Sequence, residues 1–205
     1  KVGGIKKSLI NLLNNNDYDK WNIDVYVADC NDNFFNINKN ANIIKFNKVS
    51  PALKFVPFNI VYKIYHPNIL NKEYDLAIDF DSYQMHTAIG ALKCNSKRKA
   101  IWIHNDIPIK LREEYKYRIL YFFFKRKYDY FDTYCAVSQG SLDSFKRINK
   151  EKNANKEYLV IPNYIDTKEI ADKLKENCDI KVEKEKVNIV TVGRLCHQNG
   201  IDIML

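Results

Sequence analysis

The chain has 205 residues, 46% of them hydrophobic and 28% charged, with only 6 Gly and 5 Pro. This composition excludes a low-complexity or linker-dominated polypeptide and requires a folded core, while the length admits one sizeable domain or a domain and part of another. The 33 Lys and Arg outnumber 25 Asp and Glu to give a formal charge of +8, which suits phosphate-rich partners but is diluted along the chain and singles out no nucleic acid.

Lys1-Val2-Gly3-Gly4 leads into Ile5, Leu9, Leu12 and Leu13 at helical spacing, ending in Asn14-Asn15-Asn16. In a parallel sheet a glycine turn of this kind follows the first strand, so a short strand and the natural N-terminus are expected ahead of the sequence given. Strand-like runs then alternate with helical patterns. The strands are Ile23 to Ala28, Ile43 to Phe46, Leu76 to Phe80, Ala100 to Ile103, Tyr134 to Val137 and Tyr158 to Ile161. Helices are predicted near Phe58 to Tyr65, Tyr83 to Leu92, Lys110 to Phe131, Gly140 to Ile148 and Lys168 to Glu176. Mostly apolar strands in rotation with helices predict an α/β fold with a doubly wound parallel sheet buried on both faces, which holds its ligand at the carboxyl ends of its strands.

The Lys- and Glu-rich stretch Lys173 to Lys186 interrupts this rhythm before a fresh strand, Val187 to Val192, that runs into Gly193. A charge-rich break followed by a new strand-glycine turn reads as a linker and the start of a second α/β domain. The expected division is a first domain over residues 1–172, a linker over 173–186 and a truncated second domain over 187–205.

Several common chemistries are disfavoured. No segment approaches the roughly 18 unbroken apolar residues of a membrane-spanning helix. The strongest run, Ile119 to Phe124, lies between Arg118 and Lys125. Cys30, Cys94, Cys135, Cys178 and Cys196 form no Cys-x-x-Cys pair, and free thiols of a reducing compartment are the preferred reading. The four His are far apart without a His-Glu-x-x-His, so no protein-held metal is expected. A dinucleotide dehydrogenase lacks its Gly-x-Gly-x-x-Gly, and no recognised nucleic-acid module is present.

Two strand ends carry candidate functional side chains. Trp102-Ile103-His104-Asn105-Asp106 offers His104 to donate a hydrogen bond and Asp106 to bind or orient a hydroxyl. The bland alternatives are a satisfied strand-end histidine and a helix start at Asp106 ahead of Pro108. Asp79-Phe80-Asp81 pairs two carboxylates, for which a helix cap or an acceptor contact at Asp81 is the plainer reading. The stretch Arg112 to Asp132 interleaves Arg118, Lys125, Arg126 and Lys127 with Tyr117, Tyr121, Phe122, Phe123 and Phe124. Such a face suits an anionic bilayer surface. Packing of Ile119, Phe122 and Phe123 on the sheet, with the cations solvated, is the preferred reading.

The run Val192-Gly193-Arg194-Leu195-Cys196-His197-Gln198-Asn199-Gly200-Ile201-Asp202 resembles the strand-turn-helix that opens the second lobe of glycosyltransferase family 4 enzymes, which have the two-lobed GT-B fold. Ile161-Pro162-Asn163-Tyr164-Ile165-Asp166 resembles the segment that closes the first lobe of that family, Gly3-Gly4 its glycine loop at the interlobe cleft, and Ala136-Val137-Ser138 its Val-Ser strand end, with Ser138 expected to cap a helix. These matches fall in the family order along the whole chain. The resemblance implies a Rossmann-like acceptor-side lobe and the beginning of a donor lobe. It further implies retaining transfer of a sugar from a nucleotide diphosphate sugar to a glycan or lipid-linked acceptor, in surface polysaccharide synthesis. Arg194 would hold the donor diphosphate with a forked guanidinium, and Asn199 stands where the family has a lysine, able to hydrogen-bond a phosphate without neutralising it. Gly3 and Gly4 would line the donor and acceptor cleft, and His104 would contact the donor sugar.

The expected location is cytoplasmic, with peripheral contact to the inner face of an anionic membrane left open, and no cofactor is implied beyond the nucleotide sugar as substrate. The carboxylates that grip the nucleotide in this family would lie beyond Leu205, so the sequence given is expected to be inactive alone. A nucleotide-sugar epimerase of the same fold and a non-catalytic sugar-binding lobe are the competing readings.

Overall fold

The computed structural model describes residues 3–28, 37–149, 155–177, 185–190 and Ile203. The chain divides into two units, Lys1–Asp166 and Thr167–Leu205. In the first unit, helix α1 (Gly4–Asn14) buries Ile10 and Leu13 against Val25 and Val27 of strand β1 (Asp24–Val27). These two residues lie three apart and so share a helix face, while Leu12, expected on that face, is 36% exposed. Strand β1 pairs in parallel with β2 (Asn42–Lys45), from Asp24 opposite Asn42 to Val27 opposite Lys45.

A 3-10 turn (Pro51–Phe55) and helix α2 (Phe58–Ile64) lead to a second sheet. It contains β3 (Tyr74–Asp79), β4 (Ser96–Ile103), β5 (Thr133–Ala136) and β6 (Glu157–Val160), all parallel and in that spatial order. The connections are α3 (Met85–Lys93), then α4 (Ile107–Glu113) with α5 (Tyr115–Phe124) and a 3-10 turn (Lys125–Tyr130), then α6 (Gln139–Ile148). Because side chains alternate along a strand, one sheet face carries Ala77, Ile101, Ile103, Tyr134 and Ala136. These pack with Ala88, Ile89, Tyr117, Phe124, Tyr128, Leu142 and Phe145 in the main core. The other face holds a smaller cluster of Ala100, Trp102 and Cys135, flanked by Phe80, Val137 and Ile161. Cys94 and Cys135 are free and buried, as small hydrophobes.

The architecture is therefore α/β with parallel sheets, as the rhythm of the sequence implies, but the first unit holds two sheets where one continuous sheet is expected. No ladder joins β1 to β3 among the described residues. Side chains join them instead: the Tyr26 and Tyr74 hydroxyls are 2.9 Å apart, and Asp24 Oδ2 accepts from Tyr74 at 2.7 Å and from Lys72 Nζ at 3.0 Å. The four-stranded sheet winds in one direction, so the reversal of a doubly wound sheet does not occur within it.

The long helix expected over Lys110 to Phe131 is also divided. Glu114 adopts an extended backbone (φ −109, ψ 91) between α4 and α5. The two segments serve different neighbours, α4 being tied to α6 through Asp106 while α5 buries Tyr117 and Phe124 in the core, and one straight axis does not serve both. In the second unit, α7 spans Thr167–Lys173; residues 187–190 of the expected fresh strand are in no ladder, and 191–192 lie outside the described residues.

Asp24 supplies a test of the contact between the two sheets. Burial raises its pKa, but hydrogen bonds from Tyr74, Lys72 and Asn42 outweigh burial and hold it below the ordinary carboxylate value. A depressed folded pKa contributes stability above the unfolded pKa of about 3.9, and that stability is lost as pH falls through the folded value. Asp24→Asn is expected to cost about 1–2 kcal/mol at pH 7 and to flatten the loss of stability on acidification below about pH 4. Urea midpoints of both proteins across that range check this.

Candidate functional site

Strand-end chemistry gathers at the carboxyl ends of β3, β4 and β6. Beyond β4 the ring of His104 is 8% exposed and stands 4.8 Å from the Phe80 ring, with Trp102 stacked at 6.2 Å. Its Nε2 lies 2.8 Å from the carbonyl oxygen of Phe80. A carbonyl only accepts, so Nε2 carries the proton, and the neutral ring presents Nδ1 as an acceptor. Nδ1 is buried with no partner in hydrogen-bond geometry, and the Asn163 side chain stands beside it. Burial lowers the His104 pKa below its ordinary value, against an opposing pull from the Phe80 carbonyl and Asn163. The Nε2 proton of His104 is thus engaged by the Phe80 carbonyl, and Nδ1 is buried beside Asn163.

Asn163 is itself fixed from the other end of the unit: its Oδ1 accepts from Ser8 Oγ at 2.9 Å, across 155 positions of sequence. Asp166 accepts from Asn15 Nδ2 at 3.1 Å, so the segment from Asn163 to Asp166 is bonded to α1 at two points. Ser8 lies in the second turn of α1, whose first turn is the glycine pair. Gly3 is extended (φ −76, ψ 158) and caps α1 without a side-chain hydrogen bond. A Cβ at Gly3 or Gly4 would meet nothing within 4 Å, so protein packing does not require glycine at either position, and the helix start is open. The structure thereby brings α1, Asn163, Phe80 and His104 together.

Asp106 is turned to a different task. One carboxylate oxygen accepts from the Ile109 amide at 2.9 Å and caps α4. The other accepts from the Ser144 hydroxyl on α6, which in turn accepts from Arg147 at 2.8 Å. Asp106 thus serves as the cap of α4 and a clasp to α6, the helix start that Pro108 signals in the sequence. Ser138 caps α6 through the Ser141 amide at 3.2 Å. Arg194 and Asn199 lie outside the described residues.

Beneath His104 is a group that the sequence pattern does not reveal. Lys127, expected among the solvated cations, has no exposed surface, and its Nζ donates to the Ser82 carbonyl. Asp79 is 1% exposed; its Oδ1 accepts from the Ser82 amide at 3.2 Å and its Oδ2 has no hydrogen bond. Ser82 has φ 56, the left-handed region that a residue with a Cβ enters at a cost of about 1–2 kcal/mol. Asp79 and Lys127 clamp this residue from both sides, and two residues earlier the same loop presents the Phe80 carbonyl to His104. Burial pushes Asp79 up to about 6, with Lys127 opposing, and burial pulls Lys127 down to about 8, opposed by Asp79 and Asp81. The available signal was Asp79 itself, a carboxylate in phase with the inward-facing Ala77 of an apolar strand. A buried carboxylate there calls for hydrogen bonds or a nearby cation, but nothing in the chain marks which groups supply them.

Lys127 donates to the Ser82 carbonyl and its charge also acts on Asp79, so removing it costs a buried hydrogen bond and leaves Asp79 less compensated. Lys127→Met is expected to cost about 1–3 kcal/mol, and Asp79→Asn in the same chain to restore part of it. A double-mutant cycle on urea unfolding measures the coupling. For His104, Asn163→Ala removes a group that raises its pKa, so the imidazole titration followed by NMR should move further below its wild-type midpoint; a rise would show that Asn163 does not act on the ring.

No protein-family model matches the chain, and no curated protein matches it.

Proposed function

We propose that the chain belongs to a retaining glycosyltransferase of the two-lobed GT-B type, which moves a sugar from a nucleotide diphosphate sugar to a glycan or lipid-linked acceptor in the cytoplasm. The observation that carries this reading is the meeting of three distant stretches at the strand ends: the second turn of α1 behind Gly3-Gly4, Asn163 of the Ile-Pro-Asn segment, and His104. The resemblance to glycosyltransferase family 4 expects the glycine loop and the histidine at one cleft, and ligands of parallel α/β sheets bind where strands end. A neutral imidazole held between the Phe80 carbonyl and Asn163 at the strand ends places no positive charge near the cation-like sugar carbon of the transition state. Arg194 would neutralise the departing diphosphate, the larger electrostatic task.

A donor screen on the full-length protein tests the reading, scoring nucleoside diphosphate released with and without lipid-linked glycan acceptors. Arg194→Ala is expected to lower donor turnover at least about tenfold, because a charged hydrogen bond to phosphate is worth about 1.5–3 kcal/mol. Asn199→Lys should leave turnover intact or raise it, since it adds a charge beside the phosphates. Normal turnover in Arg194→Ala would put the diphosphate elsewhere. Interconversion of the nucleotide sugar without transfer would favour an epimerase.

A further inference from the structure

Helix α5 is amphipathic on its inner side and apolar again on its outer side. Tyr117 and Phe124 are buried in the core, with Leu120 and Tyr121 packed against it, so the packing demand of the helix is met from that face. Yet Tyr115, Ile119 and Phe122, spaced four and three apart and therefore on one opposite stripe, are 64%, 36% and 68% exposed. Phe55 of the preceding 3-10 turn, 58% exposed, extends the stripe: its ring meets Phe123 edge-on at 5.8 Å, and Phe123 meets Phe122 at 5.4 Å. An apolar surface left over after the core is complete is a surface for something else.

Its rim selects the kind of partner. Lys54, Lys116, Arg118, Lys125 and Arg126 surround the stripe, all exposed, and none is in an ion pair among the described residues. Arg118 lies 5.2 Å from the Tyr115 ring and Lys125 5.4 Å from the Phe122 ring, so cations and rings are interleaved rather than segregated. The nearby acids, Glu113, Glu114 and Asp129, are fewer, and Glu114 faces Lys110 at 3.8 Å. Exposed aromatics that sit at headgroup depth, ringed by basic side chains that meet lipid phosphates, match the chemistry of an anionic bilayer interface. A groove-binding protein partner would instead call for a concave apolar surface, whereas this stripe stands out on the convex side of a helix. We propose that the outer face of α5, with Phe55, docks on an anionic lipid bilayer. The contact is peripheral, for no helix among the described residues is long and apolar enough to cross a membrane. It stands independently of the sugar-transfer reading.

Flotation of the full chain with vesicles tests it, using phosphatidylcholine alone against equal parts phosphatidylcholine and phosphatidylglycerol. The chain should float with the mixed vesicles, not with the neutral ones, and added salt should weaken the association. The pair Phe55→Ser with Phe122→Ser and the pair Lys125→Glu with Arg126→Glu should each reduce binding about tenfold or more. All four side chains are largely exposed or at the surface, so circular dichroism and thermal unfolding should stay at wild-type values, which separates lost docking from lost folding. Absence of flotation with mixed vesicles, or flotation untouched by both pairs, would overturn the proposal. So would variants that abolish self-association in sedimentation while leaving lipid binding unchanged, which would make the stripe a contact between copies of the chain.

Discussion

Asp79, a carboxylate with almost no exposed surface at the end of β3, is pushed toward its neutral form by burial and drawn back by the positive charge of Lys127 and by the Ser82 amide, and the loop after β3 is arranged around it. Lys127 reaches that loop from the 3-10 turn after α5 through the Ser82 carbonyl. Between the two charges the loop after β3 is clamped through both the amide and the carbonyl of Ser82, so that a left-handed serine is maintained. The loop in turn sets the Phe80 carbonyl, and that carbonyl decides which nitrogen of His104 carries the proton. The tautomer of His104 thus descends from buried groups gathered on Ser82.

The division of the first unit into two sheets has a related cause. Strands β1 and β3 meet through long polar side chains, with Tyr26, Tyr74, Lys72 and Asn42 gathered on the carboxylate of Asp24 or on each other. Such a junction is directional and pH-dependent, in contrast to the ladder between β3 and β4. The junction between β1 and β3 thus responds to acid, while Phe46 packs on α3 beside it and the four-stranded sheet is held by backbone bonds that do not.

What was legible in the sequence follows from what periodicity encodes. The run Ile23 to Ala28 became Asp24–Val27 and the run Tyr158 to Ile161 became Glu157–Val160, because apolar strands between turn residues leave little freedom. The break at Glu114 had no glycine or proline to announce it; it answers to the different neighbours of α4 and α5, which are tertiary facts. His104 stands at a strand end, as the sequence places it, yet which of its nitrogens carries the proton depends on a carbonyl 24 residues away. The helix start at Asp106 was legible from Pro108, but its second partner, Ser144, 38 residues distant, was not. Lys127 was counted among the solvated cations because its sequence neighbours are; only the fold buries it on the Ser82 carbonyl.

The hydrogen bond from Ser8 to Asn163 closes a loop of 155 positions, and loop closure of that length is an entropic cost that local helices and neighbouring strands do not bear. During synthesis, α1 and the β3 to β5 region can gather their own contacts long before Asn163 has left the ribosome. The candidate site is therefore a late assembly: a chain interrupted anywhere before that residue can carry a well-packed core and still lack the side chain that stands beside His104.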